Sequence, residues 1–314
     1  VLDRAAARAP FRLTDRGTAE KLFGTHMGLS ASRVDVYHQC PFRYFCQYGL
    51  QAVPRKPARL DPAQSGTVIH YVLEHLIREL GSEALISMTV QERHAEVDKW
   101  LSRYLDQYMG GSGDKSRRFR YLYFQLARTL YDIIDRLCAE FAESDFVPTD
   151  FELKIGGDEA DIPAYHLDLE GGASLDIYGS VDRVDTYEKD GTTYIRVVDY
   201  KTGGKDFALS DVLAGLNMQM LIYLFAIGKN GEKRYGLNKP AGILYYPARR
   251  NPIPQHSRSG PTDEERRDQR KANCGSGLFL LDSNTLTAME HDLGQKYIPI
   301  KQDKKGNLTG NLIT

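Results

Sequence analysis

Gly179-Ser-Val-Asp-Arg-Val-Asp-Thr-Tyr-Glu-Lys-Asp-Gly-Thr-Thr-Tyr-Ile-Arg-Val-Val-Asp-Tyr-Lys-Thr-Gly203 decides how this chain is read. Two apolar-alternating runs flank Asp190-Gly191, and such a pair favours a two-residue hairpin because a type I′ turn needs positive φ at both central positions. If Lys189 pairs with Thr192, Asp182 falls opposite Asp199, and Lys201 lies two residues along on the same face. Like charges directly opposite each other, with β-carbons about 5 Å apart, destabilise a sheet, so something positive is expected between them. Asp185 falls opposite Arg196 on the other face and reads as half of a cross-strand ion pair. A four-residue loop would shift this register by one.

Two readings of the acidic pair follow. Lys201 can neutralise one aspartate as an ordinary semi-buried ion pair. Alternatively, oxygen ligands hold a hard divalent cation, and the lysine steadies an attacking water or a developing phosphate charge.

Outside the hairpin the pattern changes along the chain. Residues 1–29 read as a lead-in with one or two short helices, and Ser30 caps a helix that starts just after it. From Gly66 onward Ile69, Val72, Leu73, Leu76, Ile77 and Leu80 recur at helical spacing. Residues 90–109 and 117–143 give two more amphipathic helices, separated by a glycine-rich breaker at 110–113. After Val147-Pro148 the period moves towards two, with strands over 149–155, 164–169, 174–187 and 193–201. A helix over 210–227 and a strand over 241–246 follow. Residues 249–275 read as an exposed insertion, and a strand at 277–281 and a helix near 284–293 close the core.

Composition narrows the class. The 314 residues are 41% hydrophobic and 26% charged with a net charge of −1, so any polyanion must be met by local basic patches. No apolar run is long enough to span a membrane and no signal-peptide pattern occurs, which points to the cytoplasm. The four cysteines, Cys40, Cys46, Cys138 and Cys274, show no disulfide-framework spacing. A start at Val1 and a polar end lead us to expect a fragment of a longer polypeptide.

Four motifs occur in a fixed order: Gly66-Thr-Val-Ile-His70, Gly-x-Val-Asp182-Arg-Val-Asp, Val-Asp199-Tyr-Lys201-Thr-Gly and Gln219-Met-Leu-Ile-Tyr223. Together they resemble the RecB-like branch of the PD-(D/E)XK nuclease superfamily. The segment from Ser30 through Cys40-Pro-Phe-Arg-Tyr-Phe45 is similar to the start of the nuclease domain of AddB-type helicase–nuclease subunits. The resemblance implies an α/β fold, a small mixed central sheet flanked by helices, with a helical N-terminal half. It would comprise a mainly helical part over 30–147, a catalytic core over 148–248, the insertion at 249–275 and a truncated end at 276–314.

The same resemblance implies that Asp182, Asp199, His70 and the main-chain carbonyl of Tyr200 hold Mg²⁺ or Mn²⁺. Lys201 would activate water, and Gln219 and Tyr223 would stand beside the active site. Read alone, His70 is an ordinary polar-face histidine, and Gly66 is expected to allow close backbone approach. Glu152 reads as a solvated strand position, with metal work as the alternative, and Glu74 as a solvated glutamate or a partner of His70.

In AddB-type domains Cys40 is one of four ligands of a [4Fe–4S] cluster. Without the other three, the cluster is expected only in a longer protein, and the N-terminal helix and tail should be poorly anchored. Lys115, Arg117, Arg118 and Arg120, interleaved with Phe119, Tyr121 and Tyr123, suit a single DNA strand or else form a solvated helix end. A second basic segment over 249–271 is diluted by Asp263, Glu264, Glu265 and Asp268.

The expected function is metal-dependent exonucleolytic cleavage of single strands in double-strand break repair, beside an AddA-type partner. The alternatives are a catalytically inactive scaffold binding DNA or a partner protein, and a stand-alone RecB-like exonuclease. No Gly-x-x-x-x-Gly-Lys-Ser/Thr phosphate loop occurs in these residues.

Overall fold

The computed structural model describes residues 13–52, 62–111, 116–203, 207–252 and 260–313. Lys115 lies outside them. The decisive hairpin is β4 (Ser174–Lys189) and β5 (Thr192–Lys201). Asp190 and Gly191 have φ of 51° and 74°, and the ladder runs from Lys189↔Thr192 to Arg183↔Val198. It stops one pair short of Asp182 and Asp199, where the strands part.

Around the hairpin a mixed sheet forms from β1 (His26–Ser30), β2 (Val147–Ile155), β3 (Tyr165–Asp168), β6 (Asn238–Pro247), β7 (Ser276–Leu280) and β10 (Leu312–Ile313). The order is β1-β4-β5-β6-β7-β10, with β2 and β3 also paired to β4. β4 is long enough to serve two sets of partners: its first third pairs with β1 and β3, the remainder with β2 and β5. β5 and β6 run parallel, and β6 and β7 antiparallel.

Period-two alternation sends successive β5 and β6 residues to opposite helical layers. Val198, Tyr200, Leu244 and Tyr246 pack against three long helices. These are α4 (Pro62–Ser87), α5 (Val90–Tyr108) and α6 (Arg117–Ala142), and α11 (Ser283–Met289) joins the same layer. Ile195, Val197, Ile243 and Tyr245 face α8 (Gln219–Asn230) instead. The remaining α-helices among the described residues are α1 (Arg16–Phe23), α2 (Ala31–Gln39), α3 (Pro41–Tyr44), α7 (Leu209–Leu213), α9 (Glu232–Tyr235) and α10 (Asp263–Asn273).

The structure departs from the sequence reading in four places. β1 crosses the expected boundary at residue 29, pairing in parallel with Ser174–Tyr178, so the lead-in enters the sheet. The single helix expected over 210–227 is broken between α7 and α8, where Gly215 and Asn217 take φ of 78° and 57°, a conformation that ends a right-handed helix. The expected insertion contains α10, which Thr262 and Glu265 start with reciprocal capping bonds. The tail is tied down by its backbone: Phe279 N–H donates to Asn311 O at 3.0 Å, and β10 extends the sheet beside β7. β8 (Lys301–Gln302) and β9 (Leu308–Thr309) form a separate small ribbon.

Asp185 sits in a fully buried cluster with Arg183, Arg196 and Glu140 of α6. Arg183 Nε donates to Asp185 Oδ1 at 2.7 Å, and Arg196 Nη2 to Asp185 Oδ2 at 2.7 Å and Glu140 Oε1 at 2.9 Å. The two acids balance the two bases, and the carboxylates around Arg183 hold its guanidinium far more basic than usual despite burial. This cluster locks the hairpin to α6, on the side opposite the α8 layer. The expected Asp185–Arg196 pair is present, in a larger assembly than a single cross-strand contact.

Candidate active site at the open end of the hairpin

Where the β4–β5 ladder ends, a local irregularity turns acidic side chains outward. In β2 Phe151 packs into the α4–α6 layer while Leu153 packs into the α8 layer, although they are two residues apart. The intervening Glu152 has φ of 50°, which reverses the expected alternation. Across the pair, Val181 faces the α8 layer while Arg183 lies over Phe141 and Tyr200 in the other. Glu152 and Asp182 are therefore the two residues the β2–β4 register skips, between Phe151↔Arg183 and Leu153↔Val181.

α4 delivers His70 to this place. His70 Nε2 lies 3.0 Å from the Tyr200 carbonyl and Nδ1 lies 3.5 Å from Asp182 Oδ2. A carbonyl can only accept, so Nε2 donates to it and Nδ1 is left facing the carboxylates, as a donor when the ring is charged and as a lone pair when it is neutral. One ligand atom each of His70, Glu152 and Asp182 lies within 4.8 Å of the others, the single such group among the described residues. Glu152, which periodicity had turned towards solvent, thus enters the site, and its Oε2 accepts from Ser180 Oγ at 2.9 Å. The Tyr200 carbonyl, expected to face a metal, accepts from the His70 ring and orients it.

Asp182 Oδ2 also accepts the Tyr200 N–H at 2.9 Å. Burial, then the facing Asp199 charge, push the Asp182 carboxyl up to about 7 against the contrary pull of His70. Asp199, 6% exposed, meets the Lys201 ammonium at 2.7 Å from Oδ2, off the axis of a regular hydrogen bond, so this buried oxygen has no aligned donor among the described residues. Lys201 lies over the Tyr245 ring, 5.4 Å from its centroid. Both readings of the lysine persist in this geometry, since it pairs with Asp199 and remains at the rim of the site.

From the other layer α8 presents Gln219 and Tyr223. Tyr223 lies against Gly179 so closely that a β-carbon there would come within 2.2 Å of the phenolic oxygen. The glycine of the Gly-x-Val-Asp motif is the space that Tyr223 occupies. Gln219 stands beside Tyr223, and burial raises the phenol above its ordinary range. Gly66, by contrast, would place a β-carbon 3.5 Å from Thr202, an ordinary contact, so close backbone approach does not explain that glycine. Glu74 is engaged by Arg78 at 2.9 Å.

The donors fit a hard divalent ion: carboxylates in excess over ammonium among the described residues, a compact cradle, a ring nitrogen turned to the carboxylates and a buried carboxylate oxygen without an aligned donor. An iron–sulfur cluster fits poorly. The cysteines are unpaired, none joins Cys40 in a ligand group among the described residues, and burial pushes the Cys138 and Cys274 thiols up to about 11 and 12. Cys40 Sγ instead accepts from the Arg43 N–H at 3.4 Å, capping α3. Arg117, Arg118 and Arg120 lie exposed on the first turns of α6. No described helix is long and apolar enough to cross a membrane.

The fold and this site define a nuclease class, and sequence comparison agrees: the profile of the PD-(D/E)XK nuclease superfamily matches residues 28–296, and the chain belongs to that superfamily. Within it the chain is similar to proteins named as a subunit of an ATP-dependent helicase/deoxyribonuclease, as the AddB-type motifs led us to expect. That of Clostridium botulinum strain Hall is 33% identical over 292 residues, covering 92% of this chain and 25% of the relative. The Clostridium kluyveri protein is 32% identical over 303 residues (95% and 26%), and that of Caldanaerobacter subterraneus subsp. tengcongensis 33% over 296 (93% and 25%). The chain spans about a quarter of the length of these relatives.

Proposed function

We propose that this chain is a Mg²⁺- or Mn²⁺-dependent deoxyribonuclease domain that hydrolyses phosphodiester bonds of single DNA strands during double-strand break processing. The observation that carries the reading is the charge balance of the site. Glu152 and Asp182 share a cradle with His70, the Asp199 charge bears on Asp182, Lys201 is the one ammonium ion-paired there among the described residues, and a divalent cation would offset the remaining charge.

His70, Glu152, Asp182 and Asp199 are the residues that would hold it. When bound, the metal supplies Lewis acidity to a water or phosphate oxygen. When neutral, His70 keeps its Nδ1 lone pair directed at the site because the Tyr200 carbonyl fixes its tautomer. Lys201 presents an ammonium held by Asp199 and the Tyr245 face, placed to orient the attacking water and to offset charge growing on the phosphate. Tyr223 and Gln219 wall the opposite side and fix the position of Gly179 at the approach to Asp182. The relatives are named as a subunit of a helicase/deoxyribonuclease, which supports work beside a helicase, an AddA-type partner and a cytoplasmic role in DNA repair.

Cleavage of an end-labelled single strand by this chain with Mg²⁺ or Mn²⁺, and its loss in Asp199→Ala and Lys201→Ala, is the expected result. No cleavage with either metal, or full activity in both variants, overturns the proposal.

A further inference from the structure

Three clefts meet at the end of β5. The metal cradle opens into a cleft lined by His70, Glu152 and Thr202. Thr202 and Gly203 also line a cleft of about 690 Å³ between α4, α5 and α6, with apolar walls from Phe119, Leu122, Tyr123 and Leu126. Gly203 continues into a polar cleft of about 360 Å³ that contains Lys201, Lys271 and Asp268. Arg249 stands in the wall of both the apolar and the polar cleft.

Arg249 is held for a purpose that its contacts leave unexplained. Arg136 Nη2 donates to the carbonyls of Pro247 and Arg249 at 2.9 Å, fixing the chain that follows β6. The Arg249 guanidinium makes one long bond, Nη1 to Gly203 O at 3.3 Å, and its buried Nε has no partner among the described residues. Arg117, Arg118 and Arg120 stand exposed on the α6 turns that wall the apolar cleft. A groove apolar inside, with Arg249 and Arg250 in its wall and joined through Gly203 and Arg249 to the cleft that holds Lys201, matches a polymer with planar apolar groups on an anionic backbone. A base paired in a duplex cannot enter such a cleft, whereas an unpaired one can.

We propose that the apolar cleft is a nucleobase subsite for an unpaired strand next to the scissile bond, and that Arg249 takes the adjoining phosphate between it and Lys201. This deepens the nuclease reading and rests on it for the position of the scissile phosphate.

The test measures fluorescence anisotropy of the 314-residue chain in EDTA. The probes are fluorescein-labelled oligodeoxythymidylate, an abasic strand with the same number of phosphates, and the matching duplex. The base-bearing strand is expected to bind about tenfold more tightly than the abasic one, the effect of a single stacked base. Leu122→Glu should abolish that preference, while Arg249→Ala should weaken both strands alike and lower the salt slope by about one. Equal binding of the two strands by the native chain, tighter binding of the duplex, or an undiminished preference in folded Leu122→Glu overturns the subsite. Should Leu122→Glu not fold, by circular dichroism, the native comparison decides alone. Cleavage of the same strands in Mg²⁺ separates the readings. Base preference without cleavage overturns the nuclease reading and with it the placement beside a scissile bond, leaving base binding alone, whereas cleavage without base preference overturns only the subsite.

Discussion

Asp182→Asn should make the metal-free chain more stable while removing its response to metal. In the fold the Asp182 carboxyl is pushed from an ordinary 3.8 to about 7, chiefly by burial and then by Asp199. A carboxyl whose folded value is raised holds its proton longer in the native state than in the unfolded one. Between pH of about 4 and about 7 the native state therefore binds more protons, and stability falls as pH rises through that window. By pH 8 the cost approaches roughly 4 kcal/mol, from about 1.36 kcal/mol for each pH step between the two values. Asp182 is 15% exposed and water can relax part of the repulsion, so a gain of about 1–4 kcal/mol is expected on removing the charge.

Asparagine suits the substitution. Its carbonyl can still accept the Tyr200 N–H, and its amide can donate to His70 Nδ1. The assay is urea unfolding followed by circular dichroism at pH 5 and pH 8, in EDTA and in Mg²⁺. The wild type should lose stability from pH 5 to pH 8 in EDTA and regain it with Mg²⁺, by about 2.7 kcal/mol at a hundredfold excess over Kd. The variant should show a flatter pH dependence and a much smaller gain. A variant less stable than wild type in EDTA at pH 8, or one stabilised equally by Mg²⁺, refutes the reasoning.

Three further outcomes are expected. Asp185→Ala leaves Arg183 and Arg196 buried with a single acid, Glu140, and should cost about 3–5 kcal/mol in urea unfolding; a loss below about 1 kcal/mol would contradict the closed network. Gly179→Ala drives a β-carbon into Tyr223 and should destabilise by about 1–3 kcal/mol while lowering kcat, with Tyr223→Ala in the same chain recovering part of the stability but not the rate. Glu152→Gln should weaken Mg²⁺ binding, read by isothermal titration calorimetry, by at least about tenfold; unchanged affinity would place Glu152 outside the metal cradle.

Much of the architecture was legible from local pattern. Helical spacing from Gly66 located α4, and the Asp190-Gly191 turn set a register that the β4–β5 ladder follows as far as Arg183↔Val198. What escaped were positions where a regular period breaks. Glu152 was turned towards solvent because alternation assumes negative φ throughout a strand, and its φ of 50° reverses the side-chain direction. The helix over 210–227 was overextended for the same reason, at Gly215 and Asn217. The pairing of β1 with Ser174–Tyr178 joins segments roughly 150 residues apart, and no local signal records such a contact.

The sequence by itself determined the hairpin and the helical first half, because turn chemistry and periodicity are local properties, whereas the ordered set His70, Asp182, Asp199, Lys201, Gln219 and Tyr223 was named through its resemblance to a nuclease family. Only the tertiary structure decided how these groups meet. It parted β4 and β5 at Asp182, brought Glu152 in through a strained strand residue and fixed the His70 tautomer on the Tyr200 carbonyl. It also placed Arg249 and the α6 cleft beside Lys201. Side-chain direction at a broken ladder, and contact between distant segments, depend on the packing of two helical layers against one sheet, which no window of sequence contains.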